Sequence, residues 1–419
     1  MFDIFSEEQL RNMSITPPFE DLAPTTMNML DDKLAPNLRQ MGYVDLFPIQ
    51  KYATSVLLSE RSLIVSAPTG SGKTAAYLVP IIEYVMRYRK LWKRMANCPL
   101  VLILSNTKSG LFRTLSTACT MAGCRRKPEA RCQVGIYNLF SGRNISQLTT
   151  VNYINHHIIV ATCAGVMAAL SNMKLDQRKL KMLVIDEVGT MIDQYGLRYG
   201  LDQILEKIPG DSTIAGFSAV YCGESNLSFF RQLQMELFRH AVPILINVAA
   251  PKGYITQRVS EKGRQLSEYP YWEPDFLKDL DFLVGLINRD LELHHMRRGG
   301  KCPYEKSTVI FAKDNKTSNY LAIYLQLMGY HFEPFNSDFI VMDNQETIRR
   351  LKRGEIQGIV SSNGLVRAVD ISEVDHKNYV IDWETAETWV FEYELRWIGR
   401  TGTMGRGGRA TVMLSMNAD

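Results

Sequence analysis

Eight residues, Ala67-Pro68-Thr69-Gly70-Ser71-Gly72-Lys73-Thr74, constrain this chain more than any other feature. They follow the apolar run Ser62–Ser66 and open a helical period that extends from Lys73 to about Arg89. A glycine-rich turn between a buried strand and a helix, closed by Lys and Thr, is the pattern of a loop that wraps phosphates. The chemistry explains the residue types. Gly70 and Gly72, with Thr69 and Ser71 between and before them, let successive backbone N–H groups face the phosphates. The helix N-terminus adds partial positive charge. Lys73 reaches the β- and γ-phosphates, and the Thr74 hydroxyl ligates Mg²⁺. The expected ligand is ATP.

Such a loop belongs in a parallel α/β sheet, and the rest of the chain reads that way. Leu100–Leu104, His157–Ala161, Met182–Ile185, Thr213–Ser218 and Ile244–Val248 are short, continuous apolar runs. Runs of this kind suit strands covered on both faces. Longer amphipathic stretches alternate with them, the signature of an α/β chain. The pattern restarts with Ser307–Ala312, Gly358–Ser361, Asn378–Ile381 and Ala410–Leu414, with a helix expected over Thr317–Met328. Between the halves, residues 251–274 are polar and rich in Gly, Pro and Tyr, which reads as a linker. The expected organisation is an N-terminal domain over 1–250, that linker, and a C-terminal domain over 275–419 beginning with a helix at Asp275–Leu293.

Composition excludes some classes. With 46% apolar and 22% charged residues the chain is an ordinary globular sequence. Its net charge of +4 permits a nucleic-acid partner without arguing for one. Seven cysteines without a CxxC pair read as reduced thiols, not as a zinc site. The first residues carry acids where a signal peptide carries bases, and no apolar run approaches the ~20 residues of a membrane span. An intracellular, soluble protein is expected.

Two further elements complete a nucleotide site. Leu183-Val184-Ile185-Asp186-Glu187 is an apolar strand ending in acids. Asp186 suits a Mg²⁺ held through water, and Glu187 suits the general base that polarises the attacking water. In the second half, Ile398-Gly399-Arg400-Thr401-Gly402 sets a cation between glycines, where Arg400 reads as an arginine finger for the γ-phosphate.

With these elements in this order, the chain resembles the DEAD-box family of RNA-dependent ATPases and helicases from about Phe19 to Leu414. Gly42 to Gln50 resembles the family's adenine-reading motif, which implies that Gln50 selects ATP. Phe19 is the candidate for the aromatic that stacks on the base. Asn106-Thr107-Lys108-Ser109-Gly110 stands in place of Pro-Thr-Arg-Glu-Leu, which implies RNA-backbone contacts at Thr107 and Lys108. Ser141-Gly142 stands where a Gly-Gly pair is usual, implying a further contact at Gly142. Ala161-Thr162-Cys163-Ala164-Gly165 replaces Ala-Thr-Pro-Gly-Arg, keeping Thr162 and losing the arginine. Ser361-Ser362-Asn363 through Arg367-Ala368-Val369-Asp370-Ile371 resembles Ala-Thr-Asp…Arg-Gly-Leu-Asp-Ile. That match implies RNA contacts at Ser362 and Arg367 and a nucleotide contact at Asp370. The implied fold is two tandem RecA-like domains, each a mostly parallel sheet sandwiched by helices. ATP and Mg²⁺ would lie between them, and single-stranded RNA would be gripped through phosphates and 2′-hydroxyls. The resemblance further implies a monomer with protein partners, in the cytoplasm or an RNA granule, the nucleus staying open. The style of its departures resembles the helicase-like modules of Tudor-domain proteins in germline small-RNA pathways.

Those departures fall on positions that couple nucleotide to RNA. The signature reads Asp-Glu-Val-Gly, ending in Gly189, and Ser218-Ala219-Val220 replaces Ser-Ala-Thr. Losing both polar partners together leaves no orphaned group. Thr403 stands for the last motif's second arginine. The expected function is an RNA-stimulated ATPase with local unwinding. The alternative is an ATP-gated RNA clamp, or a scaffold acting through protein partners with little hydrolysis.

Overall fold

The computed structural model describes residues 13–16, 23–68, 70–88, 98–124, 134–140, 156–171, 175–193, 195–218, 235, 237–238, 242–248, 255–262, 281, 283–285, 287–288, 307–312, 314–362, 376–381 and 408–415. The chain divides into two compact units, Met1–Pro251 and Lys252–Asp419.

The first unit is built on an eight-stranded sheet. In chain order its strands are β1 (Met13–Thr16), β2 (Leu63–Ser66), β3 (Val101–Leu104), β4 (Ile136–Leu139), β5 (Ile158–Ala161), β6 (Met182–Asp186), β7 (Thr213–Ser218) and β8 (Ile244–Val248). Their spatial order is β1-β8-β2-β7-β6-β3-β5-β4. Every pairing is parallel except that of the edge strand β1 with β8. The helices are α1 (Leu34–Gln40), α2 (Pro48–Leu58), α3 (Lys73–Tyr88), α4 (Lys108–Met121), α5 (Cys163–Ser171), α6 (Val188–Asp193) and α7 (Tyr195–Leu205).

Side-chain alternation sends neighbouring strand residues to opposite faces. Leu63, Val65, Val101, Ile103, Ile158, Val160 and Val184 join one core with α1 to α4. Ile64, Leu102, Leu104, Ile159, Leu183 and Ile185 join a second with α5, α6 and α7. Both faces are covered, which is why the inner strands are mostly apolar and legible as runs.

The second unit carries a six-stranded, all-parallel sheet in the order β11-β12-β10-β13-β14-β9. Its strands are β9 (Ile255–Lys262), β10 (Ser307–Ala312), β11 (Phe332–Phe335), β12 (Gly358–Ser362), β13 (His376–Ile381) and β14 (Gly408–Ser415). Helices α8 (Asn315–Leu327) and α9 (Val341–Lys352) belong to this unit. Leu283 and Ile287 pack with Ile310, Leu321, Leu325 and Val360 in its core.

Three expectations need correction. Residues 251–274 are not a linker throughout, because Ile255–Lys262 pairs with Gly408–Ser415 in parallel register as the sheet's edge. The run Thr256-Gln257-Arg258 is too polar to read as a buried strand, and an edge position tolerates that polarity. The expected 1–250 and 275–419 domains therefore become units that meet at Pro251 and Lys252. The thiols are not all reduced: Cys124 is disulfide-bonded, while Cys98, Cys119 and Cys163 are free. The Cys124 Sγ lies 3.7 Å from the Val134 carbonyl oxygen. Among the described residues no helix is long and apolar enough to cross a membrane.

Candidate nucleotide and RNA-facing site

The phosphate loop leaves the carboxyl end of β2, second from one edge of the parallel array, and enters α3. Its first residue is tied to the neighbouring strand, since the Ala67 N–H donates to the Ser218 carbonyl at 3.1 Å. The Ser71 N–H closes the turn on the Pro68 carbonyl at 3.2 Å. Gly70 and Gly72 take φ of 80° and 92°, the left-handed region where side chains are disfavoured. At Gly72 there is no room either, because a Cβ would stand 2.4 Å from the Gln50 Nε2. The Lys73 ammonium lies over the loop, donating to the carbonyls of Ala67 at 2.7 Å and Pro68 at 3.2 Å. Thr74 follows, half-buried in the first turn of α3. Thr69 lies outside the described residues.

Gln50 sits where Phe47 and Pro48 start α2. Its Oε1 accepts the Phe47 N–H at 2.8 Å, and its Nε2 faces the Gly72 carbonyl at 3.4 Å. The side chain is 1% exposed and bridges the motif's helix to the phosphate loop. An amide carries two donors and two lone pairs, so one of each is left for an adenine edge.

Asp186 ends β6 and is buried. Its Oδ2 accepts the Tyr77 hydroxyl at 3.1 Å and its Oδ1 accepts the Glu187 N–H at 3.1 Å. Burial pushes its carboxyl above the ordinary carboxylate range, and the Glu187 charge adds to this. The Arg113 and Lys73 charges and the Tyr77 hydrogen bond oppose it. Glu187 holds a φ of 54°, a rare conformation for a residue with a side chain and one that concentrates at functional sites.

The raised pKa has a consequence for the metal-free protein. A carboxyl that ionises later when folded costs nothing below its unfolded range of about 4. The cost grows as pH rises towards the folded value and is constant above it. Asp186→Asn is therefore expected to melt with the native chain near pH 4 and a few degrees above it near pH 8, in chelator. Thermal melts across that range test this; an advantage that does not grow with pH would contradict it.

The residues of the first unit expected to face RNA lie on the same sheet edge. Thr107 follows β3 and caps α4, its Oγ1 accepting the Gly110 N–H at 3.0 Å. Thr162 follows β5 and begins α5, its Oγ1 accepting the Gly165 N–H at 3.2 Å. β3 and β5 are neighbours, so two helix starts stand side by side. A threonine that accepts a backbone N–H still has its own proton to donate. Lys108 is exposed, its ammonium 5.6 Å above the Phe140 ring. At Gly165 the expected loss of an arginine has a structural cause. A Cβ there would stand 2.6 Å from the Leu139 carbonyl oxygen and 2.7 Å from the Phe140 Cα.

In the second unit Ser362 ends β12 and donates to the Asn315 Oδ1 at 2.5 Å, at the start of α8. The Asn315 Nδ2 in turn donates to Ser337 and Asp338, both at 2.7 Å. Phe19, Gly142, Val220, Arg367, Asp370, Arg400 and Thr403 lie outside the described residues. Sequence reasoning missed Tyr77. An aromatic on a buried helix reads as core, and nothing in its spacing marks a hydroxyl aimed at Asp186.

The family model for DEAD/DEAH box helicases matches residues 47–225, the span that runs from Phe47 past Ser218. Over that span the chain is similar to the DEAD/DEAH box helicase family. It is similar to the ATP-dependent RNA helicase SrmB of Escherichia coli K12, with 24% identity over 390 residues, covering 92% of this chain and 77% of SrmB. Among solved structures it resembles S. cerevisiae Dbp5 bound to RNA and ADP BeF3, at a TM-score of 0.67 and 20% identity, over 92% of this chain and 88% of that one. It also resembles the DEAD-box helicase Mss116 bound to ssRNA and UDP-BeF, at a TM-score of 0.73 and 17% identity, over 94% of this chain and 76% of that one. At these identities the DEAD-box structures establish the shared α/β, RecA-like fold, and the residue-level chemistry rests on the geometry above.

Proposed function

We propose that this chain is a DEAD-box ATP-dependent RNA-binding protein, an RNA-stimulated ATPase that unwinds or remodels short duplexes locally. One observation carries the reading. The phosphate loop, the Asp186–Glu187 pair and the two threonine-capped helix starts share the carboxyl edge of one parallel sheet, nucleotide chemistry towards β2 and RNA contacts towards β5. The RNA and nucleotide named with the Dbp5 and Mss116 structures, and the SrmB name, point the same way.

In this mechanism the backbone N–H groups of Gly70 to Thr74 and the Lys73 ammonium bind the β- and γ-phosphates, and Gln50 reads adenine. The donor set fits Mg²⁺: one hydroxyl from Thr74 and one carboxylate from Asp186. Among the described residues no group of three or more acidic, His or Cys side chains forms a protein cage. Mg²⁺ characteristically keeps its waters and takes one or two carboxylates plus substrate phosphates. When bound, it neutralises charge developing on the γ-phosphate. Glu187 takes the proton of the attacking water, and Arg400 supplies the second domain's cation. Asp370 completes the nucleotide contacts. Thr107, Lys108, Gly142 and Thr162 hold the RNA backbone on one domain, and Ser362 and Arg367 on the other. Protein partners and a cytoplasmic site of action belong to the same reading.

The packing at Gly165 favours a second reading, an ATP-gated RNA clamp with slow turnover. With the arginine sterically barred, RNA contact on that side depends on threonine hydroxyls and Lys108. One experiment separates the two. Turnover is measured with and without single-stranded RNA, beside RNA binding in a non-hydrolysable ATP analogue. Stimulated turnover supports the enzyme, and nucleotide-dependent binding without turnover supports the clamp. Lys73→Ala is expected to weaken ATP binding by about 100-fold, from the loss of charge-assisted phosphate contacts. Unchanged ATP affinity in that variant would refute the site.

A further inference from the structure

We propose that Tyr77 is a positioning residue for the carboxylate of Asp186, with Thr114 setting the direction of its hydroxyl. The inference rests on the nucleotide-site reading above and adds a side chain to it. Tyr77 lies on α3, one turn beyond Lys73. It is fully buried, and its ring is held edge-on against Phe217 of β7 with centroids 5.1 Å apart. Its oxygen is 3.1 Å from Asp186 Oδ2 and 3.1 Å from Thr114 Oγ1 on α4.

With Asp186 ionised, the protons in this cluster have one arrangement. An ionised carboxylate only accepts, so the Tyr77 hydroxyl donates to Asp186, and the Thr114 hydroxyl donates to the Tyr77 oxygen. The chain runs from Thr114 through Tyr77 to Asp186. The other carboxylate oxygen accepts the Glu187 N–H. Both oxygens are thus pinned by groups that cannot move far: a packed ring on one side and the main chain on the other. Each oxygen keeps lone-pair capacity for a metal-bound water. A buried tyrosine hydroxyl needs a partner, and Thr114 alone would meet that need. The bond to Asp186 goes beyond satisfaction and fixes the rotamer of the one acid expected at the metal. It also joins that acid to α4, the helix that Thr107 caps and Lys108 begins.

The test uses the full chain and a fluorescent ADP analogue titrated with Mg²⁺. Tyr77→Phe removes the hydroxyl and keeps the ring. It is expected to leave binding in chelator unchanged and to raise the Mg²⁺ concentration for half-maximal tightening roughly tenfold, the scale of a hydrogen bond to a charged group. Thr114→Val acts only through Tyr77, so a shift of roughly threefold is expected, with the double variant no worse than Tyr77→Phe. Melting of the metal-free proteins shows whether each variant folds. If Tyr77→Phe does not fold, the Thr114→Val shift decides. A Mg²⁺ dependence that superimposes on the native one, with only the melting temperature changed, overturns the proposal and leaves the hydroxyl structural. If the native chain itself shows no Mg²⁺-dependent nucleotide binding, the nucleotide-site reading fails, and that failure is visible before any variant is compared.

Discussion

Glu187→Gln is expected to bind nucleotide as the native chain does and to hydrolyse it about 10²–10⁴-fold more slowly. Glutamine matches glutamate in size, and the left-handed backbone at this position, φ 54°, is unchanged by the substitution. The loss therefore reports the missing proton acceptor and not a displaced chain. Removing the charge also relieves its repulsion of the buried Asp186 carboxylate. Nucleotide binding in the variant should be undiminished, and slightly tighter where no metal is present. Single-turnover hydrolysis with RNA in excess is the measurement. Turnover within a few-fold of native would remove Glu187 from the chemistry.

Gly165→Arg, which restores the side chain that the family pattern carries, is expected to destabilise the protein instead of tightening its hold on RNA. The added Cβ would meet the Leu139 carbonyl oxygen at 2.6 Å and the Phe140 Cα at 2.7 Å, both main-chain atoms at the end of β4. Side chains can rotate away from a clash, whereas a strand end can only shift. Overpacking of this kind costs about 3 kcal/mol, or roughly 6–12 °C in melting temperature for a unit of this size. Gly165→Ala should show a smaller loss in the same direction. A Gly165→Arg protein that melts with the native chain and binds RNA more tightly would mean that the Leu139–Phe140 backbone yields. The arginine's absence would then be simple erosion.

Legibility from sequence followed burial. Strands β2, β3, β5, β6, β7 and β8 are covered on both faces, so their residues are mostly apolar and the runs stand out within a residue of their ends. The missed strands lie at edges or alternate. β4 carries Asn138 in Ile-Tyr-Asn-Leu, β11 contains Pro334, which suits its edge position, and β9 is polar except at Ile255 and Val259. The phosphate loop was legible because three constraints coincide there: a strand before it, a helix after it, and glycines at left-handed positions. Two features of the site were not. The strain at Glu187 is a backbone property that its residue type does not encode. The Tyr77 hydroxyl contact depends on α3 and β6 meeting across more than a hundred residues of chain. In the sequence Gly165 reads as a lost contact, and only the packing of β4 against α5 shows how little room a side chain has there.

One bond in the phosphate loop is made without side chains. The Ala67 N–H meets the Ser218 carbonyl, and Ser218 opens the Ser-Ala-Val segment whose polar third residue is gone. A comparison of side chains scores that segment as disconnected from the nucleotide. The main-chain wire between them is blind to sequence: any residue type but proline at 67 supplies the donor, and any residue at 218 supplies the acceptor. The lettering of a motif and its main-chain connection are therefore separable properties, and in this protein the connection stands where the lettering departs from the family pattern.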